Sequence, residues 1–237
     1  MQKARTKLTP TSTRTREQLI LAGERLFAQQ GIDNVSLRQI NAEAGQRNSS
    51  ASHYHFGSKE SLINAICEYR LERLNNRRNA MLEALPPAAG PRPVSTMIGV
   101  LVYPMVEEIE GAEGGHYCIQ FLSQLLSHPT MDLLKLWRSQ FGESIGQVYY
   151  ALRTALPDVP DEIFGPRFGL TWVLAVNALA DRERLNGVAA GLIHHHTLPV
   201  LYVSNLVDAL AGMIAAPASA ATHAEIGELR ARGQRLA

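Results

Sequence analysis

Between Arg47 and Lys59 the chain reads Arg-Asn-Ser-Ser-Ala-Ser-His-Tyr-His-Phe-Gly-Ser-Lys, a run of short polar side chains with two imidazoles and a phenol. These residue types suit the edges of stacked bases. Arg47 can donate two hydrogen bonds to a guanine edge, Asn48 can pair bidentately with adenine, and Ser49, Ser50 and Ser52 can bond to bases or phosphates. His53, Tyr54 and His55 add imidazole and hydroxyl donors. Lys59 and the amides around Ser58 fall at a helix start, where unpaired N–H groups and the helix dipole favour a phosphate oxygen.

Other constellations suggest different chemistry and fail on context. Gly142-Glu-Ser-Ile-Gly146 has nucleophile-elbow spacing, which would make Ser144 a hydrolase nucleophile. That motif needs a preceding strand, whereas Leu133, Leu134, Leu136, Trp137, Phe141, Ile145 and Val148 carry a helical period through it. His194-His195-His196, and His116 with Cys118 and His128, contain metal-binding types. Helical ligands share a face at spacing three or four, which adjacent histidines do not, so no metal is expected. Gly111-Ala-Glu-Gly-Gly115 lacks the strand and lysine of a phosphate cradle and reads as a loop between helices. No cofactor motif stands out.

The elements that must hold the polar run are helical. Leu19, Ile20, Gly23, Leu26 and Phe27 share one face of a first helix from about Thr15 to Gln30, and Gly31 ends it. Ser36 and Gln39 form a capping box, with Val35 and Ile40 as a hydrophobic staple, so a second helix runs from Leu37 to about Ala44. Gly45 makes the turn, Arg47 to His55 forms a short polar helix, and Ser58 caps a longer one that closes at Pro86 and Pro87. Beyond them, apolar periods over about 94–110, 116–127, 130–155, 161–185 and 197–216 give roughly nine helices in all. The expected fold is all-α, with a reader over 1–57, a connecting helix over 58–86, a second domain over 87–216 and a frayed or loosely helical tail over 217–237.

Charge agrees with that division. Of 23 Lys and Arg, thirteen lie in residues 1–79, against seven of the 22 Asp and Glu, so the first third is basic and the remainder acidic although the net charge is +1. A polyanion would meet the first part only. The two cysteines, Cys67 and Cys118, form no disulfide framework, no apolar leader follows Met1, and the most apolar stretch, Leu198 to Ala216, carries Asp208, Asn205 and Ser204. The expectation is a reduced, cytoplasmic protein with no membrane partner.

Phe27-Ala-Gln-Gln-Gly31, Ser36-Leu-Arg-Gln-Ile40, Ala44-Gly45 and Tyr54-His-Phe-Gly-Ser-Lys-Glu60-Ser-Leu62 resemble the DNA-binding domain of tetracycline-repressor (TetR) family regulators, over roughly residues 13–66. The resemblance implies a helix-turn-helix reader of double-stranded operator DNA, a homodimer, and a second domain that binds a small molecule to release the DNA. It also implies that Tyr54 and Lys59 contact phosphates, that Arg38, close behind Ser36, reaches a base or phosphate, and that Arg47 to His53 lie along the recognition helix. Two departures are visible: Gln46 to Ser52 is one residue longer than the commonest turn, and Ser52 stands where an apolar residue often packs inward.

The remaining two-thirds matches no motif and is read from pattern. Met97, Tyr103, Tyr117, Phe121, Trp137, Phe141 and Trp172 could line an adaptable cavity for an apolar or amphipathic organic effector. Trp172, Val176 and Leu179 in one helix, with Val203, Leu206 and Leu210 in the next, are expected to form a dimer interface. The rival reading is a helical-bundle enzyme acting on a small molecule, which no catalytic set supports.

Overall fold

The computed structural model describes residues 10–48, 50–87, 89–111, 114–129, 142–185 and 199–233. Every regular element among them is a helix. In chain order these are α1 (Pro10–Gln30), α2 (Leu37–Glu43), α3 (Ala51–Phe56), α4 (Lys59–Glu83), α5 (Val94–Gly111), α6 (Gly115–Leu126), α7 (Gly142–Ala155), α8 (Asp161–Ala180), α9 (Pro199–Ala215) and α10 (Ala220–Ala231). The described residues divide into two compact units, one within 1–74 and 108–140, the other within 75–107 and 141–237, so α4 and α5 each contribute to both. This differs from the contiguous division at 57, 86 and 216, because packing, not chain order, defines a unit.

In the first unit, α1 buries the predicted stripe of Leu19, Ile20, Leu26 and Phe27. Gly31 follows with φ 83° while its N–H closes on the Phe27 carbonyl at 3.0 Å, a left-handed stop that glycine adopts without a Cβ penalty. The first helix of the remote segment, α6, packs along α1. The Phe27 and Phe121 rings stack at 6.1 Å, and Gln29 donates to the Tyr117 hydroxyl at 3.1 Å. A Cβ on Gly115 would lie 1.8 Å from the Glu108 carbonyl oxygen, so the end of α5 and the start of α6 approach only because this residue has no side chain.

A buried ion cluster joins these helices. Arg70 on α4 donates through Nε and Nη2 to Glu24 on α1, at 2.8 and 2.6 Å, and through Nη1 to Glu108 on α5 at 2.8 Å. All three residues are buried, and half-exposed Arg73 adds a 3.3 Å contact to Glu108. Burial pushes the Glu24 carboxyl above its ordinary range, with Arg70 pulling the other way. Cys67 and Cys118 are buried nearby, and burial pushes the Cys67 thiol up to about 12. Neither is poised as a nucleophile, since the thiolate is the reactive form.

In the second unit, Met97, Leu101, Val148, Leu152 and Phe164 are buried, and Tyr149 meets Phe164 and Phe168 edge-on at 5.1 Å. Ser144 sits inside α7, buried, its hydroxyl donating to the Asn75 side-chain oxygen at 3.3 Å, in a helix and not on an elbow. Of the tail expected to be frayed or loosely helical, the described part is helical over Ala220–Ala231. Ser219 caps α10 by accepting the Thr222 N–H, Ile226 is buried, and Arg230 forks onto Glu162 at 2.6 and 3.0 Å. By length and composition α8 could cross a membrane, yet Phe164, Phe168, Trp172 and Val176 along it are buried in the unit's own core.

The outer faces of α8 and α9 differ from expectation. Trp172, Val176, Leu179, Val203 and Leu210 are buried within the chain, and Leu206 is half-buried. The apolar side chains at the surface are Leu170 at 55% exposure, Leu174 at 45%, Val200 and Leu201. Both helices are apolar on most of their circumference, so periodicity alone could not choose between the face that packs inward and the face left outside.

Candidate nucleic-acid interface

The capping box fixes where α2 begins. Ser36 accepts the Gln39 N–H at 3.3 Å while the Gln39 side chain accepts the Ser36 N–H at 2.8 Å, and Val35 and Ile40 on either side are buried. Gly45, at φ 66°, then turns the chain, and the Gln46 N–H reaches back to the Asn41 carbonyl at 2.9 Å. Asn48 accepts the Ser50 N–H at 2.9 Å through its side chain, a local turn that opens α3.

The third helix is shorter than the polar run. It covers Ala51 to Phe56, so Arg47 and Asn48 lie in the turn ahead of it, exposed, and not along it. Ser49 lies outside the described residues. Ser52 faces inward, fully buried: its N–H donates to the Asn41 side-chain oxygen at 2.9 Å and its hydroxyl lies 3.4 Å from the Leu37 carbonyl. This corrects Ser52 as a direct DNA contact, because its polar atoms bind α3 to α2. The position is the inward one of the motif, filled here by a hydroxyl that must find partners.

The outward side of α3 carries His53 and Tyr54, the latter 80% exposed, with His55 half-buried beside it. Burial, and then the charge of Arg16, lower the pKa of His55, favouring a neutral imidazole. The Arg16 guanidinium covers the Phe56 ring at 5.3 Å, which brings α1 to the end of α3. Arg38 and Ser36 on the α2 side are exposed. Lys59 is half-buried, its ammonium 5.7 Å from the Phe27 ring centre and 3.4 Å from the Asp33 carbonyl. Ser58 accepts the Ser61 N–H at 3.1 Å, capping α4 as expected.

Thus Ser36, Arg38, Arg47, Asn48, Ser50, His53, Tyr54 and His55 all offer surface on the reader, while Lys59 does so only in part. Asn41 and Arg16 were not foreseen. Asn41 is a polar residue on the inward face of a helix whose neighbour Ile40 is core, and that signal was available.

The residues expected to line one effector cavity divide between the units. Tyr117 and buried Phe121 belong to the first, where Tyr117 borders a cleft of about 360 Å³ with Gln18, Leu21, Arg25 and His116. Met97, Tyr103 and Trp172 belong to the second, where Tyr103 borders a cleft of about 400 Å³ with Met81, Leu85, Gly99, Val100 and Val207. Met97 and Trp172 are buried. Trp137 and Phe141 lie outside the described residues, as do His194, His195 and His196. His116 packs against Tyr117, Cys118 is sealed in the core, and His128 faces Asp33 at 3.0 Å.

Residues 19–66 match the family profile of bacterial regulatory proteins, tetR family, and residues 100–213 match the tetracyclin repressor-like C-terminal domain. Solved structures with a similar fold include Mycobacterium smegmatis AmtR, 16% identical, with a TM-score of 0.54 over 95% of this chain and 98% of that one. Another is a gamma-butyrolactone receptor (ArpA-like protein), 20% identical, with a TM-score of 0.50 over 86% of this chain and 98% of that one. No curated protein sequence matches this chain significantly.

Proposed function

The chain belongs to the tetracycline-repressor family of DNA-binding transcription regulators, and from that premise we propose that it is a cytoplasmic repressor that grips a palindromic operator as a homodimer and is released by a small organic effector. The observation that supports this reading best is the exposed set of Arg38, Arg47, Asn48, His53 and Tyr54 on a reader whose α3 is fixed by Asn41 and Ser52. Arg47 and Asn48 supply base-edge chemistry, and Tyr54 supplies a phosphate donor. Two copies are needed because one α3 spans a single half-site, and two half-sites about a helical turn or more apart mirror a two-fold dimer.

The dimer surface in this reading is the outer face of α8 and α9, carried by Leu170, Leu174 and Leu201, whose exposure a second copy would remove. The effector domain is the second unit, whose cleft at Tyr103, Met81 and Val100 offers apolar walls with Thr96 and Ser204 as polar groups. The protein acts by binding and not by catalysis.

The test is selection of duplexes from a random pool by the purified full chain, followed by titration at several salt concentrations. A palindromic consensus with affinity falling steeply as salt rises is the expected result. Retention of random and selected duplexes alike would refute it.

A further inference from the structure

Arg78 is 1% exposed, deep in the second unit, and among the described residues no carboxylate answers it. Its Nη1 donates to the Asn75 side-chain oxygen at 2.7 Å and lies 3.4 Å from the Ser144 hydroxyl, both neutral groups. Its Nε and Nη2, also buried, have no hydrogen-bond acceptor. Those two atoms lie on one edge of the planar guanidinium, the edge whose parallel N–H bonds match the two oxygens of a carboxylate. The same helix shows that fit two turns earlier, where Arg70 uses Nε and Nη2 to hold Glu24. Burial lowers the Arg78 pKa to about 10, which leaves the group charged at neutral pH.

A buried, unneutralised guanidinium with two idle donors is among the most unfavourable arrangements a core can hold, and such groups call for a physical reason. The surroundings suggest one. The guanidinium lies 5.9 Å from the centre of the buried Trp172 ring, so an aromatic wall adjoins the charge. Met81, three residues on from Arg78 along the same side of α4, and Leu85, just beyond the end of that helix, are two walls of the 400 Å³ cleft. One positive charge, one two-pronged edge and apolar flanks specify a ligand with a single negative charge on an apolar body.

We propose that Arg78 anchors the carboxylate of the effector, so that the ligand class of this regulator is a small organic monocarboxylic acid. This rests on the effector reading above and sharpens it. Nε and Nη2 of Arg78 donate to the two carboxylate oxygens, Asn75 and Ser144 hold the guanidinium in plane through Nη1, and the body of the acid lies against apolar wall.

The experiment compares full-length wild type with Arg78→Met, Arg78→Lys and Asn75→Asp. Short aliphatic and aryl monocarboxylic acids, each paired with its primary amide as a neutral isostere, are titrated by tryptophan fluorescence and thermal shift. At least one acid should bind wild type about tenfold or more tighter than its amide. Arg78→Met should abolish that preference and Arg78→Lys should keep part of it. Asn75→Asp, which places a carboxylate against Nη1, should weaken the acid and spare the amide. Equal binding of acids and amides to wild type overturns the proposal, as does a preference that survives in Arg78→Met, or a panel in which no acid affects wild type more than Arg78→Met. If Arg78→Met does not fold, Asn75→Asp carries the test, being isosteric with wild type. Operator anisotropy separates the two readings. Acids that bind through Arg78 without releasing operator refute induction and leave the anchor standing, whereas amides that release operator as well as acids do refute the anchor and leave induction standing.

Discussion

Asn41 on α2 accepts the backbone N–H of Ser52, the second residue of α3, at 2.9 Å, and both residues are buried. Together with the Ser52 hydroxyl contact to the Leu37 carbonyl and the burial of Ala51, this bond fixes the rotation of the six-residue α3 about its own axis, and therefore which side chains face outward. Asn41→Ala removes the acceptor and leaves a buried N–H unsatisfied, an expected loss of about 1–3 kcal/mol of stability. Chemical denaturation should show that loss, and operator affinity should fall with it. Asn41→Asp, which keeps the acceptor, should retain more of both.

Ser52 and Arg47 should behave oppositely. Ser52→Ala removes only an inward hydroxyl bond, so it should lower stability by about 0.5–1.5 kcal/mol and leave the preferred operator sequence unchanged. Arg47→Ala should leave stability nearly intact and lose roughly 1–3 kcal/mol at particular base pairs. Tyr54→Phe should weaken all duplexes alike. Binding measured across a set of single-base operator variants separates the three patterns.

The dimer surface can be tested by contrast within one helix. Leu170→Arg or Leu174→Arg alters an exposed side chain, so it should yield a folded monomer by light scattering at micromolar concentration. Val176→Arg places a charge in the core and should unfold the chain instead. Dimers that survive both surface substitutions would remove this face from consideration.

His55 provides a pH dependence with a definite sign. Its pKa is below the ordinary 6.5 because burial, and then Arg16, disfavour the imidazolium. The unfolded chain therefore binds the proton more readily, so the stability linked to neutral His55 is present above about pH 6.5 and is lost as pH falls through the lowered value. Thermal melts between pH 8 and 5 should show this fall, and His55→Gln should reduce it. Operator phosphates favour the charged form, so binding should respond in the reverse direction and strengthen on acidification.

The elements of the reader were legible because their signals are local. Ser36 with Gln39, Gly31, Gly45 and Ser58 each act within one helical turn, and the structure places α2 and α4 within a residue or two of the limits they imply. What failed were judgements about facing. Ser52 reads as a polar surface residue until Asn41 is seen opposite, and Trp172 and Val176 read as interface until the chain's own core is seen around them. Arg78 shows the same limit. Leu71, Leu74 and Arg78 fall on one stripe of α4, so an arginine at an inward position was visible, but no sequence spacing shows that Glu24 neutralises Arg70 while no described carboxylate neutralises Arg78.

The docking of α6 on α1 has a consequence for modularity. Phe27 with Phe121, Gln29 with Tyr117, Asp33 with His128, and Glu24 through Arg70 with Glu108 all cross from the first 74 residues to the segment after 107. The reading head is therefore discontinuous in the gene, and a fragment cut at residue 66 would lose Arg70 and strip one side of α1 to water. Grafting residues 10–66 onto a relative to transfer operator choice would import half of each of these pairs and leave the other half behind. Such chimaeras should succeed only where the recipient already carries an aromatic at the place of Phe121 and an acid at that of Glu108, or where both segments are moved together.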